Sequence, residues 1–494
     1  MVELRKEDWE RFGRASKEMA SELVELYKWR NNPTSFDVSS YYAQILIHRA
    51  HTIMLYEEEI ISKNDAKQII KGIKQIEKDS RNDPKLVNYM STETALIKMI
   101  GDAGGKMHIG RSRNDLAHTQ RRIYYRDQLN RVISTIIEYK KKIIDASYVN
   151  VNTIMPGYTH WRQAQPITLG HYLMAHVEAA SRTIKRLEDI YRRTNLSPLG
   201  SAAFAGTYWP VNRERTMELL GFDDLIVNTL DAVASMDYYM EFASAIAIHM
   251  SNMSRLAEDI QIWSSDEFKF LDLDEGYVGT SSIMPQKKNP IILEQVRSYA
   301  SESIGEMTKI YSSMKGMPYT NTSDRAMLEP LILDTVVGST NAIAGLIFTL
   351  KPMEENMMMK LKDGFSTMTD LADTLVKLHN ISFRQAHDII ANVTIDAINK
   401  GIIAENITPD MISKASKIVM DTEIAVPLED LKQAIKPELN IQRRRGIGMP
   451  SPESVKAMIK TQKAMINDEE KRLDARLGKL DKAKHKLIEA ENNL

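Results

Sequence analysis

The sequence predicts an all-α protein organised around a central bundle of long helices. Glycine and proline, the strongest chain breakers, are both absent between Gly110 and Pro156 and again between Gly221 and Gly276. Inside these stretches alanine, leucine, isoleucine and methionine recur at intervals of three and four, the spacing of one helix face. The apolar/polar alternation of strands is scarce.

In chain order, the first unbroken stretch reads as one long helix. In the second, Leu230, Val233, Tyr238, Phe242, Ile246 and Met250 form one apolar stripe, with Ala243, Ala245 and Ala247 off it. A helix apolar on more than one side is usually buried in a bundle or an oligomer interface. Four glycine- or proline-bearing segments are suited to aim side chains at a ligand. They are GGKMHIGRSRND (residues 104–115), PGYTHWRQAQP (156–166), SPLGSAAFAGT (197–207) and SSIMPQKKNP (281–290). After Glu453 lysine and glutamate dominate. Leu473, Leu477, Leu480 and Leu487 step by four, three and seven, with Lys484 in one core slot. That pattern reads as a solvated terminal helix or as a helix packing on another subunit.

The bulk numbers exclude several classes. The 494 residues allow two to four domains, and the 43% hydrophobic and 27% charged content suits a soluble globular chain. A formal net charge of -1 gives no field to recruit nucleic acid or an acidic membrane. The absence of cysteine removes disulfides, thiolate metal sites and cysteine nucleophiles. The charged N-terminus lacks a signal-peptide core, and no uncharged apolar run reaches the ~18 residues of a membrane span. A cytoplasmic protein without membrane or nucleic-acid partners is expected. The eleven histidines are scattered without metal-ligand spacing, and no phosphate-binding glycine motif occurs, so no metal and no cofactor are expected.

The polar segments carry the chemistry. A serine hydroxyl becomes a useful base when cations and backbone N–H groups stabilise its alkoxide. Ser281 has Lys287, Lys288 and Asn289 close in sequence, although a polar turn stiffened by Pro285 and Pro290 explains the same composition. His160 lies in a Pro-Gly-Tyr-Thr-His turn segment and has the pKa for proton transfer near neutrality. Glu294 is a candidate to orient it. GRSRND crowds arginine, serine and asparagine: a carboxylate site, a capped helix start with Ser112 or Asp115 in the first turn, or both.

Together these segments resemble a family. SSIMPQKKNP is similar to the signature loop of the fumarase/aspartase superfamily. GGKMHIGRSRND, PGYTHWRQAQP, SPLGSAAFAGT, NTLDAVASMD, SRLAEDIQIWSSDEF and TDLADTLVKLHNISFRQAH resemble the argininosuccinate lyase family in particular, in order from about Ser35 to about Val455. The resemblance implies an all-helical, three-domain homotetramer in which each active site takes segments from three chains. It implies β-elimination from a succinyl group, releasing fumarate and an amine without a cofactor. The expected divisions are 1–110 (N-terminal helical domain), 111–360 (central long-helix domain with most catalytic segments), 361–455 (C-terminal small helical domain) and 456–494 (charged tail).

By the same resemblance Ser281 is the general base at Cβ, and Lys287 and Asn289 stabilise the carbanion. His160, backed by Glu294, is the general acid. Ser112, Asn114 and Thr159, with Arg113 nearby, bind the succinyl carboxylates.

Departures cluster on the other half of the substrate. The family's substrate-holding tyrosine, glutamine and lysine, and an arginine between them, fall here at Asn321, Ala326, Glu329 and Ser323. An aspartate-isoleucine-histidine run falls near Asn88-Tyr89 without its histidine, and a substrate-contacting serine falls at Pro33. Leucine-glutamine-arginine after the histidine is Trp161-Arg162-Gln163. Threonine-glycine-serine before the loop is Gly279-Thr280-Ser281, which changes backbone freedom ahead of the base. The expectation is a carbon–nitrogen lyase acting on an N-substituted aspartate with an altered amine half. The alternatives are an argininosuccinate lyase with a rebuilt pocket and a non-catalytic structural reuse of the fold.

Overall fold

The computed structural model describes residues 35–80, 89–322 and 330–494. It is mostly helical, with short two-stranded pairs between helices. The first helices, α1 (Ser35–Glu57), α2 (Lys63–Ser80) and α3 (Tyr89–Ile100), enclose a core of Ile45, Ile53, Ile69, Ile73 and Leu96.

The stretch between Gly110 and Pro156 is one helix, α4 (Arg113–Val149). Ser112 caps it, with Asp115 completing a reciprocal capping box. A hairpin, β1 (Ile154–Thr159) and β2 (Arg162–Thr168), returns the chain antiparallel as α5 (Leu169–Thr194). After α6 (Arg213–Leu220), the second uninterrupted stretch divides into α7 (Thr229–Ala234) and α8 (Asp237–Trp263). Ser235 is extended and ends α7. The expected stripe holds from Val233 onward: Val233, Tyr238, Phe242, Ile246 and Met250 are buried, whereas Leu230, earlier in α7, is exposed.

Helices α9 (Ile291–Met314) and α10 (Pro330–Thr349) complete the bundle, whose core runs through Ile133, Ile143, Leu173, Ile184, Phe242, Met250, Val296 and Leu346. By length and composition α10 could cross a membrane, but Leu333, Val336, Ile343 and Leu346 are buried in this core. A third core, of Leu371, Leu375, Ile389, Ile412 and Leu431, lies in the helices between Met368 and Ile435.

The last helix, α11 (Pro452–Asn492), is not a solvated tail. It runs back over the bundle and contacts α4, α5, α6 and α1. Ile459, Ile466 and Leu473 enter the bundle core, and Leu487 enters the first core. The Lys140 ammonium and Glu469 carboxylate meet at 2.6 Å, both fully buried, and Arg49 pairs with Glu491. Leu473 and Leu487 of the repeat thus seat this helix on its own chain; Leu477 and Lys484, off the buried stripe, are exposed.

Candidate active site

At the start of α4 the structure shows the capped helix start expected of GRSRND. The Ser112 hydroxyl accepts from the Asn114 N–H, and Asp115 accepts the Ser112 N–H at 2.9 Å. The other Asp115 oxygen accepts the N–H groups of Gly200 (3.0 Å) and Ala202 (2.9 Å), tying SPLGSAAFAGT to this helix end. Gly200 turns there with φ +85°, a conformation natural to glycine. Burial pushes the Asp115 carboxyl up to about 6, against the pull of its N–H donors and Arg111. The Asn114 amide donates to the Ala203 carbonyl at 3.0 Å, and Asn321 donates to the Asn114 side-chain oxygen at 2.7 Å. His118 meets the Asn321 oxygen at 3.4 Å, and the Tyr319 hydroxyl donates to Asp231 in the NTLDAVASMD segment. Exposed Arg113 stands beside the positive end of this long helix, where the helix dipole and free N–H groups favour anions.

The His160 segment is a hairpin, and its turn lies at the histidine rather than at Pro156-Gly157. Thr159 pairs with Arg162, leaving His160 and Trp161 as the two-residue loop with φ 52° and 61°. Such turns favour Asn-Gly because both residues are left-handed. Histidine and tryptophan there cost of order 1 kcal/mol or more each. The strained loop holds the His160 imidazole out into solvent, and His160 makes no hydrogen bond to another described residue. Thr159 is exposed beside it. A cavity of about 330 Å³ opens at His160.

The third block is the loop after Gly279. Strands β3 (Gly279–Thr280) and β4 (Lys288–Asn289) pair and present Ser281–Lys287 as an exposed loop. The Ser281 oxygen accepts the N–H groups of Ile283 (3.3 Å) and Met284 (3.0 Å). Donors aimed at a hydroxyl oxygen favour its ionised form. The lysines divide: Lys288 faces Asp272 (3.4 Å) and Glu275 (3.7 Å), whereas Lys287 is exposed and has no ion pair among the described residues. Asn289 is half-buried at the loop base, and Glu294 is exposed in the first turn of α9. Gly279 is not left-handed, so backbone freedom is not its role. A Cβ there would fall 1.9 Å from the Ile291 side chain; the glycine makes room for Ile291.

Within one chain the Ser112 and His160 blocks stay apart. Ser112 precedes α4 and His160 follows it, and 37 residues of helix span roughly 55 Å. His160 and Glu294 form no hydrogen bond or ion pair with each other. Of the segment expected to read the amine half, Asn321 is described; Ser323, Ala326 and Glu329 lie outside the described residues, as do Pro33 and Asn88 and the Tyr89 side chain. Sequence reasoning missed Asp115 as the hub joining two motifs, and missed His118, Tyr319 and Asp231. The serine-x-x-aspartate capping spacing signals Asp115; nothing local signals the other three.

The lyase family model matches residues 21–305, and the argininosuccinate lyase C-terminal model matches residues 365–442. The argininosuccinate lyase of Methanococcoides burtonii is 40% identical over 89% of this chain and 90% of its own length, and that of Methanocaldococcus jannaschii is 38% identical over 92% and 95%. A crystal structure of EDDS lyase in complex with formate superposes with a TM-score of 0.90 at 41% identity, over 98% of this chain and 97% of that one. An EDDS lyase variant with bound fumarate matches equally well. A 3-carboxy-cis,cis-muconate lactonizing enzyme from Pseudomonas putida shares the fold at TM-score 0.70 and 15% identity. With a matched family model over more than half its length and relatives this similar across nearly all of it, the chain belongs to the argininosuccinate lyase-like branch of the fumarase/aspartase superfamily and is a carbon–nitrogen lyase.

Proposed function

We propose that this lyase cleaves an N-substituted aspartate, releasing fumarate and an amine other than arginine. The observation that carries the reading is Asn321. It stands where the family resemblance expects a substrate-holding tyrosine, and its amide is engaged by Asn114 at 2.7 Å. The succinyl-side set, Ser112, Asn114, Thr159, Ser281, Lys287 and Asn289, is retained in the sequence. EDDS lyase, as similar to this chain as the argininosuccinate lyases are, supports a substrate outside arginine metabolism. The printed names of the curated relatives favour the second reading, an argininosuccinate lyase with a rebuilt pocket.

In the proposed reaction Ser281 removes a Cβ proton, its alkoxide supported by the Ile283 and Met284 N–H groups. Charge spreads onto the adjacent carboxylate, where Lys287 and Asn289 stabilise it. The C–N bond breaks with its electron pair leaving on nitrogen, and His160, oriented by Glu294, protonates that nitrogen. Ser112, Arg113, Asn114 and Thr159 hold the carboxylates. Because Ser112 and His160 flank a helix of roughly 55 Å, a complete site needs these blocks from different chains, which favours the homotetramer. Exposed apolar residues along the bundle, Ile248, Ile304 and Tyr311, suit such an assembly. A cytoplasmic place goes with this metabolic chemistry.

The test is fumarate release, followed by ultraviolet absorbance, from argininosuccinate and from a panel of other N-substituted aspartates. The reading predicts turnover with a panel member and none with argininosuccinate. Ser281→Ala should abolish turnover and leave assembly intact; full activity in that variant removes Ser281 from the mechanism.

A further inference from the structure

The cavity at His160 has a composition of its own. Its walls include Tyr158, Trp161, Tyr172, Trp263 and Phe268, and Asp259 is its one carboxylate. The rings are set at angles: Tyr172 meets Trp263 with centroids 4.6 Å apart at 66°, and Tyr158 meets Phe268 at 6.1 Å and 58°. Faces and edges are thus turned in several directions around one space of about 330 Å³. The Tyr172 hydroxyl donates to one Asp259 oxygen at 2.6 Å and fixes the carboxylate. Asp259 itself is half-buried.

That carboxylate forms no ion pair among the described residues, although the charge of Arg255 reaches it. Glu258 is taken by Arg297 at 2.6 Å. Arg255, on the same helix, is exposed to solvent. His176 packs on Tyr172 at 5.0 Å and stays neutral near pH 7, because burial and Arg255 push its pKa to about 4. An aromatic enclosure with one fixed carboxylate suits an organic cation: ring faces attract cations, and more strongly where water is excluded.

From this geometry we infer that the cavity between the His160 turn and the end of α8 is the subsite for the amine half, and that it takes a protonated amine bearing an apolar or aromatic body. The inference rests on the lyase reading for the word "amine". His160, at the cavity mouth, is the group proposed to protonate the departing nitrogen: a substrate whose secondary amine enters protonated leaves as the neutral amine, and that proton makes it a cation at the opening. Asn321, the described residue expected to read the amine side, is instead committed to Asn114. At about 330 Å³ the space is at the small end of ligand sites.

The test uses a cation that cannot react. Binding of benzyltrimethylammonium and of neutral benzyl alcohol is measured by calorimetry on the wild-type assembly, on Asp259→Asn and on Trp161→Ala. The wild type should prefer the cation by at least tenfold. Asp259→Asn should lose that preference, and Trp161→Ala, altering an exposed ring, should weaken the cation while assembly by size exclusion is unchanged. Equal affinity for both probes in the wild type, or a preference untouched in Asp259→Asn, overturns the subsite. Fumarate release from N-substituted aspartates is read in parallel. Cation binding without fumarate release from any of them defeats the lyase reading and leaves the pocket standing. Fumarate release without cation preference defeats the subsite alone.

Discussion

The Asn321 amide donates to the Asn114 side-chain oxygen at 2.7 Å, joining the segment expected to read one half of the substrate to a residue expected to hold the other. Asn114 in turn donates to the Ala203 carbonyl. The two bonds fix the Asn114 amide from both sides. Asn321→Ala removes one of them and should raise KM for the aspartate-derived substrate about tenfold, the equivalent of one hydrogen bond of ~1.4 kcal/mol. Steady-state kinetics checks this; an unchanged KM means that Asn321 does not position Asn114.

Ser112 and His160 flank a helix of roughly 55 Å, and Ser281 belongs to a third block. If a site draws these blocks from different chains, two inactive variants can complement each other. His160→Asn and Ser281→Ala, each inactive alone, should recover partial activity when mixed after dissociation and reassembly. Mixed assemblies with no activity contradict shared sites.

The His160–Trp161 turn is strained at both residues. Trp161→Gly relieves one left-handed conformation and should raise unfolding free energy by roughly 1 kcal/mol. It should also lower kcat, because the looser turn no longer fixes the imidazole. Thermal melts and kinetics read the two effects separately. A gain in stability with full activity would mean that the strain has no part in holding His160.

Lys140 and Glu469 lie fully buried between α4 and the last helix, 2.6 Å apart. Lys140→Met alone strands a buried carboxylate and should cost about 3–5 kcal/mol, whereas adding Glu469→Leu should restore most of it. Denaturant unfolding of the single and double variants gives the comparison. A double variant as unstable as the single one would show that the charges themselves are needed there.

Much of the fold was legible because periodicity and the absence of breakers are local signals. Helix α4 lies where Gly110 and Pro156 bracket an unbroken stretch. The break at Ser235 was not, because serine and methionine carry no breaker signal and the extended turn is set by packing. The β-hairpin was hidden for a related reason: its turn residues, His160 and Trp161, are the opposite of what such turns favour, so strain masks the pattern. The last helix looked solvated because its polar residues outnumber its apolar ones; only three dimensions show Glu469 facing Lys140. Motif resemblance marked Ser281, His160 and the start of α4. It covered Asp259 within SRLAEDIQIWSSDEF but gave it no role, because Asp259 meets the separate His160 segment only across a cavity.

The most direct test of the central claim is fumarate production by the wild-type protein offered argininosuccinate in one assay and other N-substituted aspartates in the next, with Ser281→Ala as control. The account predicts turnover of ordinary enzymatic size, ~1–10³ per second, with an aspartate carrying a cationic, apolar amine, and none with argininosuccinate. Efficient cleavage of argininosuccinate, lost in Ser281→Ala, would contradict it and make this chain an argininosuccinate lyase with a rebuilt pocket.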